Sequence, residues 1–484
     1  MSCDTLIRDV TVFDGTGGPA VRGDVAVAGG RIAAVGRLRG WGAAEVVDGG
    51  GLALAPGFID VHTHDDTNVV RTPEMWPKLS QGVTTVIVGN CGISAAPVRL
   101  RGEVPDPMNL LGRAEDFRYP TFATYREAVD RARPAVNTAT LVGHTALRAN
   151  HMDRLDRPAR RAEIEAMRRE LRDALAQGAL GLSTGLAYAN AAAAPTEEVA
   201  ALAEPLAEAG GLYATHMRNE FAAVLDAMNE AFRIGRHARV PVAISHLKCA
   251  GPENWGRSTE VLAALDEARG SHPIGCDCYP YTAGSSTLDL KQVTDRIEIT
   301  ITWSDPHPEF GGRALADIAA EWGMDVLDAA RRLQPAGAIY HSMSEADVRR
   351  ILAHPATVVG SDGLPNDPNP HPRLWGAFPR VLGRYCRDEG LFPLAEAVHR
   401  MTGLSARRFG LDDRGLIRAG AWADLVLFDP ATVRDTATFA DPQRPAAGIA
   451  AVWVNGVLSS RNQHPTGARA GRFVARGTVD RTAY

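Results

Sequence analysis

The chain has 484 residues, 45% of them hydrophobic and 23% charged, with a formal net charge of −5. That is ample for a large core or more than one domain. It lacks the basic excess of a nucleic-acid binder, and no apolar run approaches the ~20 residues that span a membrane.

The N-terminus, MSCDTLIRDVTVF, has no basic segment followed by an apolar one, so no secretory signal is expected. Six cysteines without framework spacing point to a reducing compartment, and the expected location is the cytoplasm. Lysine occurs only at Lys78, Lys248 and Lys291; every other basic side chain is arginine. A compact ammonium differs from a planar fork, so a lysine kept against this bias hints at a role that arginine cannot fill.

Residues 1–55 read as short strands and turns, with TLIRDVTVFDG alternating and GDVAVAGGRIAAVG resembling a hairpin. Residues 416–484 have the same texture in DLVLFDP and GIAAVWVNGVL. The two ends are expected to form one small β-sandwich domain. Between them, residues 56–415 alternate short apolar runs with helical segments such as RAEIEAMRRELRDALAQG. The runs are GFIDVH, VTTVIVG, TATLVG, ALGLST, LYATH, VPVAISH, PIGCDCY and TVVGSD. Eight parallel β/α units predict an α/β fold with a closed (β/α)8 TIM-like barrel. A long stretch before the eighth run, about 286–345, reads as an inserted lid-like subdomain.

In such a barrel the C-terminal ends of the strands build the active site. At those ends stand His62, His64, Cys91, His144, His216, His246, Lys248, Tyr279 and Asp362. In DVHTH the strand alternation points His62 and His64 the same way, so two imidazoles can chelate one metal. Asp66 extends the segment toward an H-x-H-x-D-H metal motif, but Thr67 stands where that motif needs histidine. His216 and His246 end successive strands in YATH and AISH, positions suited to metal ligands. Asp362 in VVGSDG is either a turn former or a general base beside the metal, and the rim position favours the base. Cys91, just past the strand in GVTTVIVGNCGIS, is open to three readings: a buried small hydrophobe, a nucleophile or a metal ligand.

The segments PGFIDVHTHDD, GVTTVIVGNCGISAAP, GHTALR, GALGLSTGLAY, THMRNE, ISHLKCAG, DCYPYTAGSS, GSDGLPND and PHPRLWGAFPRVLGRY resemble the N-acyl-D-amino-acid deacylases, or D-aminoacylases, of the amidohydrolase superfamily. The resemblance runs from about residue 5 to 475. It implies the barrel, the sandwich from both termini and the insertion after strand seven. Many superfamily members bridge two metals with a strand-four lysine, but GALGLSTGL has none. By resemblance Cys91 supplies that ligand, which suits zinc's affinity for thiolate. The resemblance also implies that His62, His64 and Asp362 surround one zinc position while Cys91, His216 and His246 form the tighter one. Occupancy of the second position stays open. Lys248, Tyr279, Ser285 and Arg373 match the family positions that hold the substrate's α-carboxylate.

The expected reaction is hydrolysis of an N-acyl-D-amino acid to a carboxylate and a free D-amino acid. Zinc brings the pKa of water toward ~7 and polarises the amide carbonyl. Asp362 takes the proton and delivers it to the leaving amine. His144 either helps polarise the carbonyl, shapes the acyl pocket or is a satisfied structural histidine. Asp289, flanked by Leu288 and Leu290 after the YPY motif, predicts neutral or apolar D-side chains, with Lys291 a competing charge. A dihydropyrimidinase- or dihydroorotase-like hydrolase of cyclic amides is the nearest alternative enzyme. A non-catalytic scaffold of the same fold is the alternative from another class.

Overall fold

The computed structural model describes residues 1–484. All eight apolar runs become strands, and all are parallel to their neighbours. Phe58–Asp60, Val83–Val88 and Asn137–Thr140 form one sheet. Val142–Gly143, Gly181–Gly185, Leu212–His216, Val242–Ile244, Ile274–Cys278 and Thr357–Val359 follow in that order in another. Only Leu141 separates the two sheets at one side, and its N–H donates to the Val88 carbonyl at 2.9 Å. At the other side Thr63 bridges Gly363 in parallel. There the Asp362 N–H donates to the His62 carbonyl at 2.7 Å, and the His64 N–H donates to the Gly363 carbonyl at 3.0 Å.

Strands covered on both faces read as unbroken apolar runs, and every residue of Val83–Val88 is buried. Inward side chains from successive strands meet in one cluster that includes Ile59, Ile87, Ala139, Leu180, Leu212, Ala243 and Val358. The helices between strands cover the outside with one apolar stripe each. In Arg161–Ala176 the buried residues are Met167, Leu171, Ala174 and Leu175, the spacing of a single helical face.

A nine-stranded sheet draws on both ends of the chain. Its seam is Leu425–Phe428 running antiparallel to Ala53–Pro56, so the last apolar strands complete the sheet begun by the first. Ile7, Val25, Leu54, Leu425 and Trp453 share its core. Residues beyond Gly471, assigned with 416–484 to the sandwich domain, lie against the parallel strands instead. Gly471 and Val474 donate to the carbonyls of Pro134 and Thr138, and Ala483 joins the inward cluster of the parallel strands. The tail is held there because its carbonyls answer a buried cation: Arg408 donates to the Ala483 carbonyl at 2.7 Å.

Within the 286–345 stretch, Gly284–Thr287, Ala336–Tyr340 and Ile299–Ser304 make a three-stranded antiparallel sheet. Helices Leu315–Trp322 and Val326–Leu333 pack on it around a separate core with Leu288, Ile301, Ile318 and Leu333. No helix is long and apolar enough to cross a membrane.

Candidate active site

The first two imidazoles stand just past the end of the strand Phe58–Asp60. His62 lies two residues past Asp60, and its Nε2 lies 3.2 Å from Cys91 Sγ. His64, two residues on, brings its Nε2 to 3.2 Å from Asp362 Oδ1. The same carboxylate oxygen is 3.4 Å from His62 Nε2. Cys91 reaches the site from a turn that only this glycine spacing allows. A Cβ on Gly89 would sit 2.1 Å from the Leu141 carbonyl oxygen, and one on Gly92 would sit 2.6 Å from the Gly185 nitrogen. Cys91 itself has φ +53°.

His246 Nε2 lies 3.4 Å from Cys91 Sγ, and its ring centroid is 4.9 Å from that of His62. The His216 ring meets the His246 ring edge-on at 4.5 Å. Donor atoms of His62, Cys91, His246 and Asp362 all fall within 4.8 Å of one another, and so do those of His216, Glu220 and His246. The grouping differs from the expected one: Cys91 and His246 fall with His62 and Asp362, His64 falls in neither group, and Glu220 joins His216 and His246. Cys91 does not belong with His216 and His246 alone; it stands between His246 and the His62 side, touching both.

The electrostatics of this cluster call for positive charge. Burial opposes ionisation of Cys91, but the charges of His62 and His246 outweigh it and hold the thiol well below its usual range. Burial likewise works against a charged His64, yet hydrogen bonds to Asp362 and Cys91 lift it to about 9. A cation among a thiolate, a carboxylate and imidazoles would take the place of these protons. The donor set, one soft sulfur with nitrogens and an oxygen, is that of zinc. His64 Nδ1 and His216 Nδ1 are buried without a hydrogen-bond partner, which leaves ring nitrogens at the site uncommitted.

Two carboxylates that do not stand out in the sequence hold the ligand-type residues from behind. Asp277 Oδ2 lies 3.3 Å from His62 Nδ1, while its Oδ1 accepts from the His246 backbone N–H at 2.9 Å. Glu220 Oε1 lies 2.9 Å from His246 Nδ1 and accepts from Lys248 Nζ at 2.6 Å. Burial opposes the charge on Glu220, but Lys248 and the two histidines drive its carboxyl well below the usual range. Such partners fix the orientation of a histidine ring. Glu220 lies four residues past His216, and Asp277 sits in the seventh run two residues before Tyr279. Their types and positions were legible; their partners were not.

A cavity of 1320 Å³ opens over this cluster, lined among others by His216, His246, Lys248, Tyr279, Ser285 and Asp362. Arg373 is fully buried beneath it, with Nη1 2.8 Å from Asp362 Oδ2 and Nη2 donating to the Ser285 carbonyl at 3.1 Å. Its guanidinium lies 4.5 Å over the Tyr279 ring, and Lys248 Nζ lies 5.8 Å from the same ring. Ser285 Oγ is buried without a partner. Asp289 and Lys291 both line the outer cavity, one charge of each sign, while Leu288 turns into the core of the insertion.

His144 is elsewhere. It opens helix His144–His151, its Nε2 is 3.1 Å from Glu198 Oε1, and Arg148 pairs with the same oxygen. It does not line the cavity, and while its Nε2 is paired with Glu198 its Nδ1 is buried without a hydrogen-bond partner, so this placement favours a structural role over the expected ones in carbonyl polarisation and the acyl pocket. Its partner is 54 positions away, out of reach of any local pattern.

The amidohydrolase family model matches residues 45–459. The chain belongs to the amidohydrolase family, on its D-aminoacylase branch. It is 51% identical to a D-aminoacylase of Alcaligenes xylosoxydans xylosoxydans, over 98% of this chain and 98% of that one. It is 49% identical to an N-acyl-D-glutamate deacylase of the same organism, over 98% and 96%. The crystal structure of N-acyl-D-glutamate deacylase from Bordetella bronchiseptica, complexed with zinc and a phosphonate mimic of the tetrahedral intermediate, matches with a TM-score of 0.95. The identity is 46%, over 98% of this chain and 100% of that one. This amidohydrolase therefore shares its whole length, not one motif, with these relatives.

Proposed function

We propose that this chain is a zinc-dependent hydrolase that cleaves the amide of N-acyl-D-amino acids to a carboxylate and a free D-amino acid. The observation that carries the reading is the cluster of His62, Cys91, His246 and Asp362 donor atoms, two of whose members line a cavity with Lys248, while Arg373 is buried behind Asp362. The full-length likeness to enzymes named for this reaction, one of them complexed with zinc, supports it. In this reading Cys91, His216 and His246 hold one zinc tightly, and His62, His64 and Asp362 surround a second position. The two parallel sheets, joined by hydrogen bonds at both sides, support a closed (β/α)8 barrel over residues 56–415. Six unpaired cysteines suit a reducing, cytoplasmic setting.

Zinc, when bound, supplies Lewis acidity toward the amide carbonyl and makes water acidic near neutral pH. The side chains do the rest. Asp362 accepts the proton of the attacking water and hands it to the departing amine. Its carboxyl stays ionised and ready to accept: burial opposes the charge, but Arg373 and His62 hold it well below the usual range. Arg373, Tyr279 and Lys248 meet the α-carboxylate, with Ser285 Oγ as a free donor. The guanidinium fork suits a carboxylate better than any single ammonium. Each cation already has a carboxylate partner, Lys248 with Glu220 and Arg373 with Asp362, so the fork geometry is what favours Arg373 as the anchor.

A cyclic-amide hydrolase is disfavoured by a cysteine at position 91 and by the strand Gly181–Gly185, which carries no lysine. A ligand-free scaffold does not suit a site in which every expected donor is present. The test is Asp362→Asn, which keeps shape and removes the base. Turnover of N-acetyl-D-amino acids should fall by roughly 10² or more with the tight zinc retained. Turnover within a few-fold of wild type would contradict the assignment.

A further inference from the structure

Lys78 is a buried cation that the chemistry above leaves unused. It sits in the short helix Trp76–Leu79 with no exposed surface. Its Nζ donates to Asp60 Oδ2, Thr63 Oγ1 and Ser361 Oγ, each at 2.8 Å. Asp65 Oδ2 stands 3.3 Å away and accepts from Thr63 Oγ1 at 2.7 Å. Three N–H groups thus meet three oxygens at one distance.

Those oxygens belong to the two segments that carry the proposed machinery. Asp60 and Thr63 flank His62, and Ser361 precedes Asp362. Asp60 closes the link: its Oδ1 accepts from the Ser361 N–H at 2.8 Å and its Oδ2 from Ser361 Oγ at 2.6 Å. Ser361 Oγ in turn accepts from the Gly363 N–H at 3.1 Å. Both chain neighbours of Asp362 are therefore tied to one hydroxyl, and that hydroxyl is tied to Lys78. Asp362 needs the restraint. Its φ is +51°, a conformation that residues other than glycine rarely adopt and that persists only where the surroundings enforce it.

We propose that Lys78 is a positioning residue for the reaction: through Asp60 and Ser361 its ammonium fixes the backbone turn that aims the Asp362 carboxylate at the reacting centre. The residue type fits this role. A tetrahedral ammonium satisfies three converging acceptors, which a planar guanidinium cannot. Space is also short, since a Cβ on Gly363 would come within 3.1 Å of Nζ. In a chain with 52 basic residues and only three lysines, this is a lysine that arginine does not replace. A misplacement of about 1 Å at a reacting group costs on the order of 10² in rate, so even a partial release of the turn should be measurable.

The inference rests on Asp362 acting as the base in the function proposed above. The test uses the zinc-loaded full chain and N-acetyl-D-methionine. Lys78→Met, Lys78→Arg and the milder Ser361→Ala are made alone, and each is also combined with Asp362→Asn. Lys78→Met and Ser361→Ala should each lower kcat about tenfold or more, move KM by less than about threefold and keep the metal. Lys78→Arg should not rescue. In the Asp362→Asn background the same changes should cost less than about twofold, because the group they aim is already gone. A loss that persists undiminished in that background would make Lys78 a structural prop and overturn the proposal. So would kcat within about twofold of wild type in the single variants. Should Lys78→Met fail to fold, Ser361→Ala decides by the same readings. Inactive zinc-loaded wild type would overturn the functional reading and this inference with it; active wild type with unaffected variants overturns this inference alone.

Discussion

Arg373 Nη1 stands 2.8 Å from Asp362 Oδ2, so the cation expected to hold the substrate also holds the base. The other carboxylate oxygen faces His62 and His64. Arg373→Met should therefore do more than weaken substrate binding. KM for N-acetyl-D-leucine should rise, and kcat should fall about tenfold or more because the base loses a fixing contact. The corresponding amide, which brings no carboxylate, should suffer the kcat loss alone. Steady-state kinetics on both substrates checks this; an unchanged kcat would separate the two residues functionally.

Cys91 lies between His62 and His246, at 3.2 and 3.4 Å. Cys91→Ser replaces a soft anion by a neutral hydroxyl. Most zinc and most turnover should be lost while the fold survives, as read by metal analysis and circular dichroism. Full zinc content with near-normal turnover would remove Cys91 from the metal site.

Glu220 joins His246 to Lys248. In Glu220→Gln the His246 ring loses its anionic partner and Lys248 loses its counter-charge. Metal affinity should weaken by roughly 10- to 100-fold, measured by competition with a chelator. Unchanged affinity would reduce Glu220 to a partner of Lys248 only.

How far the sequence led is clear from particular residues. The spacing of DVHTH pointed to two imidazoles at one place, and both approach the same Asp362 oxygen, although they stand past the strand that ends at Asp60. The glycines around Cys91 signalled a turn. Pairings across the fold were not legible. Nothing near His144 announces Glu198, and nothing near Lys78 announces Ser361. Lys248 and Arg373 read as free cations in the sequence, yet each has a carboxylate partner from a distant segment. The tail beyond Gly471 carries no strand pattern of its own, and nothing in it announces that Arg408 and the inward cluster hold it at the parallel strands.

Stability should fall in acid partly through Glu198. Burial resists its ionisation, but the hydrogen bond from His144, with Arg148 nearby, holds the carboxyl at about 2. A depressed carboxyl stabilises the fold above its unfolded pKa, near 4.5, and loses that contribution as pH falls toward 2. The shift corresponds to roughly 3 kcal/mol at neutral pH. Glu198→Gln should thus be destabilised most at pH 7 and progressively less below pH ~4. Urea unfolding at both pH values checks the sign; an equal deficit at both would refute it.

One metal cluster and one carboxylate anchor together select a D-amino-acid derivative in the proposed function. The metal end fixes the scissile carbonyl and Arg373 fixes the α-carboxylate, so an L substrate keeping both would turn its side chain into the wall. The most direct measurement is kcat/KM of the zinc-loaded protein for N-acetyl-D-methionine against its L enantiomer. The expected result is a preference for D on the order of 10² or more. Comparable rates for the two hands, or no hydrolysis of either with the metal in place, would contradict it.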